Sequence, residues 1–559
     1  MTEPSNQRRH DLDALRAFAM LLGIALHTAM SFVVAPWPVQ DTHPSTAIGI
    51  FIAAVHGFRM QLFFLVSGFF TAMMWRRRGL KALISQRFNR VFIPCILGLL
   101  TIIPTLRWVS NWAMEATKQD RAVTLATKLE GSFVEALRKR DSASVKRLIA
   151  AGLDPNGRDP EFSVTLLSWT ALCGDVEATR LLLEKGANAN MRNADATTPL
   201  HCAAFLGFKE VATLLISKGA DVRAKNNTGG FPSDSALSDW GIVEYIAGML
   251  RLPTRSKEEV FSGREECLKL LPANPDNPAA KTGAKKPTDD AFGLRAAYQG
   301  VLTSNHLVFR RTPTSEPFYL VFTNVFDHLW FLWFLCWLVP FFVVFAWIAD
   351  KRGWKQPSRR FILSPLKFMW LLPLTMIPQW FMGVFSPSFG PDTSVGLIPQ
   401  PHLLLYYGIF FGFGALYYDC DDSEGRVGRG WAGSLLISLL LLFPLGLITV
   451  QNRALSGIVQ IAYVWLMAFG MIGLFRRLIV RENRTIRYLS DASYWLYLAH
   501  VPLVMVFQQL VRKWSLPAEI KFVLIGTVAT GLLLLSYQML VRYTWLGALL
   551  NGRRKREAK

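Results

Sequence analysis

The sequence lacks the cysteine arrangements that would identify a metal centre or a disulfide framework. Its 559 residues include six cysteines, which are scattered without the short spacings typical of metal ligands. Basic and aromatic residues are not interleaved as in a nucleic-acid groove, although the net charge is +21. No small-residue cleavage site follows the first apolar run, so we expect a retained membrane span and not a removed signal peptide. The sequence therefore predicts no metal site and no nucleic-acid partner.

Apolar residues, in contrast, are abundant. Hydrophobic residues make up 51% of the chain and aromatic residues 13%, and the mean hydropathy is +0.26. This composition is too apolar for an ordinary soluble enzyme. It predicts the all-α class, as a polytopic bundle of about ten transmembrane helices. The apolar stretches lie near residues 12–35, 48–74, 91–110, 326–349, 366–385, 402–418, 432–450, 456–475, 493–512 and 519–541.

Lysine and arginine are distributed unevenly between the loops, which predicts the direction of the spans. The loops 36–47 and 386–401 contain neither residue. Basic clusters lie at residues 8–9, 76–90, 351–360 and 476–487, and from residue 553 to the C-terminus. Because positively charged loops tend to stay in the cytoplasm, we expect both termini to be cytoplasmic.

A repeat of about 33 residues interrupts the spans between residues 131 and 250. The segment Leu181–Ala187 recurs as Leu214–Ala220, and Thr198–His201 begins one unit. The pattern resembles the ankyrin repeat, a turn and two helices that stack into an α-solenoid. His201 is then a structural histidine at a helix start. The predicted topology places this module outside the cytoplasm, where it would bind the acceptor, a protein partner or a neighbouring copy of the chain.

The predicted domains follow from these patterns. Residues 1–120 form the first part of the membrane domain, with spans one to three, and residues 318–559 form the second part, with spans four to ten. Residues 121–250 form the ankyrin domain. Residues 251–317 are predicted to be a linker, because the stretch from 271 to 290 is rich in Pro, Lys and Ala.

Ionisable residues inside the first two spans are the leading candidates for a functional site. In span one, Asp13, Arg16 and His27 share a helix face, with about 16 Å along the axis between the last two. In span two, Arg59 follows His56 by one turn, and we expect His56 at the same depth as His27. Such groups are costly in hydrocarbon, so we expect them to face a protein interior or a water-filled cavity.

Further candidates lie near the ends of other spans. Arg87 and Arg90 lie at the cytoplasmic edge, where two guanidinium groups suit phosphate contacts, although a simple anchoring role fits equally well. His328 lies at the external end of span four. His500 precedes a proline in span nine, and a packing role is an open alternative. His402 borders an external loop and is expected to be solvated.

Three motifs resemble those of the integral-membrane acyltransferase-3 family. They are Arg16 with His27, Phe-Phe-x-x-Ser-Gly at 63–68, and Arg-x-x-Arg-x-x-x-Pro at 87–94. The segments 56–60, 328–332 and 497–500 are similar to the branch that adds succinyl groups to osmoregulated periplasmic glucans. The resemblance covers the membrane domain almost end to end but not the ankyrin insertion.

The resemblance implies a multi-pass O-acyltransferase of the bacterial inner membrane. It would move an acyl group, succinyl among the candidates, from acyl-coenzyme A to a hydroxyl of an extracytoplasmic glycan, without a bound cofactor or metal. By the same resemblance His27 is a general base or acyl relay, and Arg16 stabilises charge on the donor. Arg87 and Arg90 would bind the phosphates of the donor. The implied acceptor-side or relay residues are His56, Arg59, His328 and His500.

Two other classes of function fit the same residues. A membrane-anchored ankyrin scaffold with an inactive membrane domain would be indifferent to loss of His27. A glycan flippase or transporter would also place charges within the membrane, but it would need no acyl donor.

Overall fold

The structure is a computed structural model, and its regular elements within the described residues are helices and one short hairpin, in which Val308–Phe309 (β1) pairs with Phe318–Tyr319 (β2). This confirms the predicted all-α class. The residues that the structure describes are 9–33, 37–121, 125–159, 162–227, 229–238, 240–253, 255–275, 294–302, 308–309, 318–354, 358–383, 388–450, 452–479, 481 and 483–552.

The α-helices are numbered here in chain order. They are α1 His10–Ala29, α2 Thr46–His56, α3 Arg59–Arg87, α4 Ile93–Arg121, α5 Leu125–Arg138, α6 Ser142–Ala150, α7 Leu166–Cys173, α8 Val176–Glu184, α9 Pro199–Leu206, α10 Lys209–Ser217, α11 Pro232–Ala236, α12 Trp240–Leu250, α13 Lys257–Leu268, α14 Leu294–Leu302, α15 Trp330–Lys351, α16 Arg359–Leu363, α17 Lys367–Gln379, α18 Pro401–Asp419, α19 Trp431–Ile437, α20 Phe443–Ile448, α21 Arg453–Leu478, α22 Arg484–Val511, α23 Ala518–Ser536 and α24 Trp545–Asn551.

The chain forms two compact units. One comprises Met1–Met114 with Leu294–Lys559, and the other comprises Glu115–Gly293. The first unit contains the apolar helices and the second contains the repeats. Residues 276–293, 303–307 and 310–317 of the predicted linker lie outside the described residues, as do Arg8 and the basic segment from 553.

Seven helical segments of the described chain are long and apolar enough to cross a membrane. One of them, Thr46–Ala116, contains both the second and the third predicted spans. The predicted spans near 366–385 and 402–418 correspond to α17 and α18, which are not among the seven. The membrane-spanning character is confirmed, and the count of ten spans stays a prediction.

The second predicted span is interrupted. Helix α2 ends at His56, Gly57 and Phe58 form a turn, and α3 begins at Arg59. Phe58 has φ −137° and ψ −20°, outside the helical range. The continuous helical register that predicted a shared face for His56 and Arg59 therefore does not hold.

Helix α3 continues beyond the predicted span to the basic cluster. It bends at Gly79, whose φ of +76° suits a residue without a Cβ. A π-helical turn, Phe88–Phe92, then joins α3 to α4. Such turns insert an extra residue into the helix and often occur at functional sites. Here the turn carries Arg90 just after Arg87.

Glycines allow α3 and α18 to pack backbone against backbone. A Cβ on Gly68 would overlap the carbonyl oxygen of Phe411, and a Cβ on Gly414 would overlap that of Leu65. Small residues permit close helix approach in a membrane, where the hydrophobic effect does not drive helices together. Helix α1 packs against α22, so the first span lies beside the span that carries His500.

One hydrogen-bonding pattern recurs through the ankyrin unit at the predicted period. Arg158 donates to the carbonyl oxygen of Arg192 at 2.6 Å, and Arg192 donates to that of Lys225 at 2.6 Å, steps of 34 and 33 residues. At α9, the Thr198 N–H donates to Nδ1 of His201 at 3.1 Å, and Nε2 of His201 donates to the carbonyl oxygen of Gly230 at 3.1 Å. His201 is therefore a structural histidine at a helix start, as predicted, and its ring also donates a hydrogen bond to the next repeat.

Part of the predicted linker is a helix that packs on the repeats. Helix α13 begins at a capping box, in which Glu259 N–H donates to Ser256 Oγ and Ser256 N–H donates to Glu259 Oε2. Arg264, which is 2% exposed, donates to the carbonyl oxygens of Phe205 and Ser238. The repeat unit therefore extends beyond residue 250, because this helix packs against α9, α10 and α11.

Candidate functional site

Three histidines that are distant in sequence meet at one small cavity in the membrane unit, here termed the histidine pocket. His27 lies on α1, His500 on α22, and His328 in the single-turn helix Asp327–Leu329. Nδ1 of His27 is 2.8 Å from Nε2 of His500. The ring centroid of His328 is 6.5 Å from that of His27 and 5.5 Å from that of His500. The cavity measures about 40 Å³.

The hydrogen bonds of His500 determine which nitrogen of His27 can act as a base. Nδ1 of His500 is 2.8 Å from the carbonyl oxygen of Tyr497 and 3.1 Å from that of Leu496. A carbonyl oxygen only accepts, so Nδ1 of His500 carries the proton and its Nε2 accepts from Nδ1–H of His27. The lone pair of His27 is then on Nε2, which has no hydrogen-bond partner among the described residues. This is the arrangement of a general base oriented by a second side chain.

His328 presents a second unpaired ring nitrogen. Its Nε2 donates to the carbonyl oxygen of Leu498 at 3.0 Å, and its own carbonyl oxygen accepts from the Tyr497 hydroxyl at 2.7 Å. Its Nδ1 is buried and has no partner within the described chain. Asp327, just before it, has a φ of +44°, a strained conformation that the Asn324 side chain stabilises by accepting from the Asp327 N–H.

Arg59 brings an unpaired positive charge to the same pocket. Its side chain is 8% exposed, and it makes no hydrogen bond or ion pair to any residue that the structure describes. Gly23 of α1 leaves room for it, since a Cβ there would lie 2.8 Å from Nη1 of Arg59. A buried charge without a partner is costly. The guanidinium is therefore placed to stabilise a negative charge that forms in the pocket.

Two residues that the sequence analysis missed hold His27 in place. The indole of Trp37 stacks on the imidazole, with ring centroids 5.9 Å apart and planes 15° from parallel. Trp37 Nε1 donates to Oε1 of Gln508, and Nε2 of Gln508 donates to the carbonyl oxygens of His27 and Thr28. Gln508 is a polar residue inside a predicted span, so the rule that selected His500 could have selected it. Trp37 lies in a loop and offered no comparable signal.

A larger cavity of about 580 Å³, here termed the arginine cavity, is lined by four other predicted residues, Asp13, Arg16, Arg87 and Arg90. Arg16 lies in it, donates to Oγ of Ser490 at 2.8 Å and pairs with Asp13 at 3.8 Å. Arg87 donates to Oγ1 of Thr71 at 2.8 Å. Its five arginines outnumber its two aspartates, so the cavity is basic. The charged lining residues are Arg9, Asp13, Arg16, Arg77, Arg87, Arg90 and Asp491.

The structure thus separates candidates that the sequence grouped together. Arg16 belongs with Arg87 and Arg90, whereas His27 belongs with Arg59, His328 and His500. Among the described residues, no group of three or more His, Cys, Asp or Glu side chains is arranged to hold a metal ion.

Two other histidines lie away from the histidine pocket. Nε2 of His56 donates to the carbonyl oxygen of Pro391 at 2.9 Å, and His56 does not line the pocket. His56, which we expected at the same depth as His27, therefore does not join it in this pocket, because the helix that would carry both His56 and Arg59 is interrupted between them. His402 is 4% exposed and lies 2.9 Å from the Tyr298 hydroxyl, so the prediction that it is solvated is wrong.

Comparison with known proteins assigns both units. The sequence profile of the acyltransferase domain matches residues 9–119 and 286–537, more than half of the chain. The chain belongs to this acyltransferase family. A profile of three ankyrin repeats matches residues 133–226, within the segment that interrupts the acyltransferase domain. Both findings confirm the resemblances that the motifs indicated.

The similarity to named relatives covers only part of this chain. Glucans biosynthesis protein C of Shigella dysenteriae serotype 1 (strain Sd197) is 42% identical over 100 residues, which make up 18% of this chain and 25% of that protein. The proteins of the same name from Escherichia coli O1:K1 / APEC and E. coli O157:H7 (strain EC4115 / EHEC) are 41% identical, with the same shares. The similarity thus spans a quarter of the length of these relatives.

Proposed function

We propose that this protein is a membrane O-acyltransferase that transfers an acyl group from acyl-coenzyme A to a hydroxyl of an extracytoplasmic glycan. One observation carries the proposal. His27 bonds His500 through Nδ1, which leaves its Nε2 as the basic nitrogen, and it shares the pocket with Arg59, whose buried Nε has no hydrogen-bond partner among the described residues. A base and a positive charge in one pocket are what acyl transfer to a hydroxyl requires.

The arginine cavity is the proposed donor site. Coenzyme A carries several phosphates, and guanidinium groups bind phosphate oxygens through paired hydrogen bonds. Arg87 and Arg90 lie on or beside the π-helical turn at the rim of the bundle, and Arg16 lies deeper along α1. The donor would enter with its phosphates at Arg87 and Arg90 and its thioester directed past Arg16.

The transfer can be followed through the histidine pocket. Nε2 of His27 takes the proton from the acceptor hydroxyl as its oxygen attacks the thioester carbonyl, and a C–O bond forms. Arg59 stabilises the oxyanion of the tetrahedral intermediate. The intermediate collapses as the C–S bond breaks, and the proton on His27 passes to the leaving thiolate. The unpaired Nδ1 of His328 would accept a hydrogen bond from the acceptor and hold it in place.

The acceptor, the acyl group and the orientation of the chain in the membrane are inferred from the relatives' names and from the loop charges. The relatives are named for glucan biosynthesis, which favours a glucan acceptor and keeps succinyl among the acyl groups to test. The loops 36–47 and 386–401, free of Lys and Arg, favour an external face at the His27 end of α1 and cytoplasmic termini. The expected location is the bacterial inner membrane, with the ankyrin insertion outside the cytoplasm as a binding surface for a partner protein.

Replacement of His27 tests the proposal. The full chain is reconstituted in lipid vesicles with acetyl- or succinyl-coenzyme A and a glucan, and ester formation is followed by mass spectrometry. We expect His27→Ala to lower the rate by about 10²–10⁴-fold, the usual contribution of a general base, with unchanged expression and thermal unfolding.

Two outcomes would reject this function. Absence of ester from the wild-type protein with every donor would favour the scaffold, whereas ester formation by His27→Ala at the wild-type rate would reject His27 as the base. Movement of unmodified glucan across the vesicle membrane without any donor would favour the transporter.

A further inference from the structure

The arginine cavity and the histidine pocket share three lining residues. Met20 of α1, Phe63 of α3 and Phe331 of α15 border both cavities. Each is 7% exposed, and the rings of Phe63 and Phe331 lie 5.3 Å apart between centroids. The two cavities are therefore separated by one apolar layer contributed by three different helices.

The position of this layer along α1 places it on the path of the acyl group. Met20 follows Arg16 by four residues and precedes His27 by seven, which are rises of about 6 Å and about 10 Å along the axis. A thioester that enters from the arginine cavity must pass Met20, Phe63 and Phe331 to come within reach of His27. These three side chains neither contact the donor phosphates nor act as the base, so the proposed chemistry gives them no role.

We infer that Met20, Phe63 and Phe331 form an apolar gate that limits transfer to short acyl groups and keeps water of the arginine cavity away from the thioester at His27. The inference rests on the proposed acyl transfer, and it names the substrate class of that reaction as short-chain acyl-coenzyme A. The gate determines which acyl donors are accepted, whereas His27 and Arg59 carry out the transfer.

The size of the histidine pocket supports selection by length. About 10–15 Å³ of such space holds one water molecule, so a cavity of about 40 Å³ holds roughly three non-hydrogen atoms. An acetyl group is of this size, whereas a succinyl group, with four carbons and three oxygens, and a medium-chain acyl group both exceed it. The ring of Phe331 cannot move aside to admit a longer chain, because it is packed against the rings of Tyr497 and Phe64. The centroid distances are 6.0 Å and 4.8 Å.

Exclusion of water follows from the same geometry. The arginine cavity is large and lined by charged side chains, which favour water, and the gate presents only a thioether and two phenyl rings to it. Water that reached the thioester beside His27 would replace the acceptor hydroxyl in the same reaction. A C–O bond to water would form, the C–S bond would break, and free carboxylic acid and coenzyme A would result.

The test compares two equal truncations on one helix. Phe331→Ala removes a gate ring, whereas Phe334→Ala removes a ring of the same size that is fully buried one turn later and lines neither cavity. Each full-length variant is reconstituted in vesicles and supplied with acetyl-, succinyl- or octanoyl-coenzyme A, with and without glucan. Ester and free coenzyme A are both measured.

We expect Phe331→Ala to raise the octanoyl-to-acetyl transfer ratio at least about tenfold, since a single methylene in an apolar pocket already changes selectivity by about tenfold or more. Release of coenzyme A without glucan should rise in the same variant. Phe334→Ala should leave both quantities at the wild-type values. Met20→Ala, which leaves both rings in place, should shift the ratio in the same direction if Phe331→Ala does not fold.

The gate and the proposed function fail in different ways. If the wild type transfers no acyl group from any donor, the proposed function is wrong and the gate with it. If the wild type transfers acetyl groups and Phe331→Ala, Met20→Ala and Phe334→Ala all keep its octanoyl-to-acetyl ratio, the gate alone is overturned.

Discussion

Buried histidines occur in both units of this protein, and their hydrogen bonding differs. In the ankyrin unit, His201 uses both ring nitrogens within the fold, Nδ1 toward Thr198 and Nε2 toward Gly230. In the membrane unit, His328 uses one nitrogen and leaves the other buried without a partner among the described residues. His27 likewise bonds His500 through Nδ1 and leaves Nε2 unpaired.

The difference distinguishes His201 from the histidines of the pocket. A buried polar atom without a partner costs free energy, and the repeat avoids that cost at His201. One unpaired nitrogen is not sufficient to mark a site, because Nε2 of His402 is also buried without a partner among the described residues. The same free-energy cost applies to Arg59 beside His27, because its Nε is buried without a partner among the described residues. Unsatisfied polar atoms that converge on one cavity indicate that a substrate completes their hydrogen bonding.

Among the variants that test this contrast, the largest change in kcat is expected at Arg59. Arg59→Gln should lower kcat for acyl transfer by about 10²–10³-fold with little change in KM, because the charge acts on the oxyanion and not on the bound donor. It should not lower the melting temperature, since a charge with no protein partner does not stabilise the fold. Steady-state kinetics in vesicles and thermal unfolding of the same sample measure both.

Arg59→Lys is the matched control, because it keeps the charge without the planar donor geometry and should fall between the wild type and Arg59→Gln in kcat. A melting temperature that drops several degrees in Arg59→Gln, with normal kcat per folded molecule, would make Arg59 a structural residue like His201.

A smaller effect is expected at His500, which acts through His27 and is a positioning residue. His500→Phe removes the acceptor for Nδ1–H of His27 and should lower kcat about 10²-fold, within the range for loss of general-base function. His500→Gln provides an amide oxygen that can accept the same hydrogen bond, and it should recover part of the loss. Equal kcat values for the Phe and Gln variants would show that the ring of His500 only fills space.

The sequence predicted much of this site because ionisable groups are rare inside apolar spans. That rule selected His27, Arg59, His328 and His500, which line the histidine pocket, and also Arg16 and His56, which do not. It could not predict that His500 contacts His27 directly, because the contact joins residues 473 positions apart and depends on the packing of α1 against α22.

The errors have local physical causes. His56 was expected on the same helix face as Arg59, on the assumption of a continuous helix, and the turn at Gly57 and Phe58 interrupts that helix. Helix α13 was assigned to a linker because the neighbouring stretch is rich in Pro and Lys. Its signal was nevertheless present in the sequence, as Ser256 followed three residues later by Glu259.

The smallest effect is expected at His201 and would appear as a pH dependence of the repeat. Burial lowers the pKa of His201 below its ordinary value of 6.5, and the hydrogen bond to the Gly230 carbonyl opposes this shift. Asp195, Asp234 and Arg192 also act on the ring. Between the lowered pKa and 6.5 the unfolded repeat binds more protons than the folded one, so stability is complete above about pH 6.5 and decreases as the pH falls below it.

The preceding repeat provides a control without a titrating side chain, because Ser168 stands at the matching position of α7 and bonds Thr165 instead. Hydrogen exchange of the full chain, corrected for the intrinsic effect of pH, should show protection decreasing in residues 198–217 between pH 7 and pH 5.5 but not in residues 165–184. His201→Gln, which cannot titrate, should remove that difference between the repeats. A decrease of equal size in both repeats would mean that His201 is not the titrating group, and the contrast between the two kinds of buried histidine would then rest on hydrogen bonding alone.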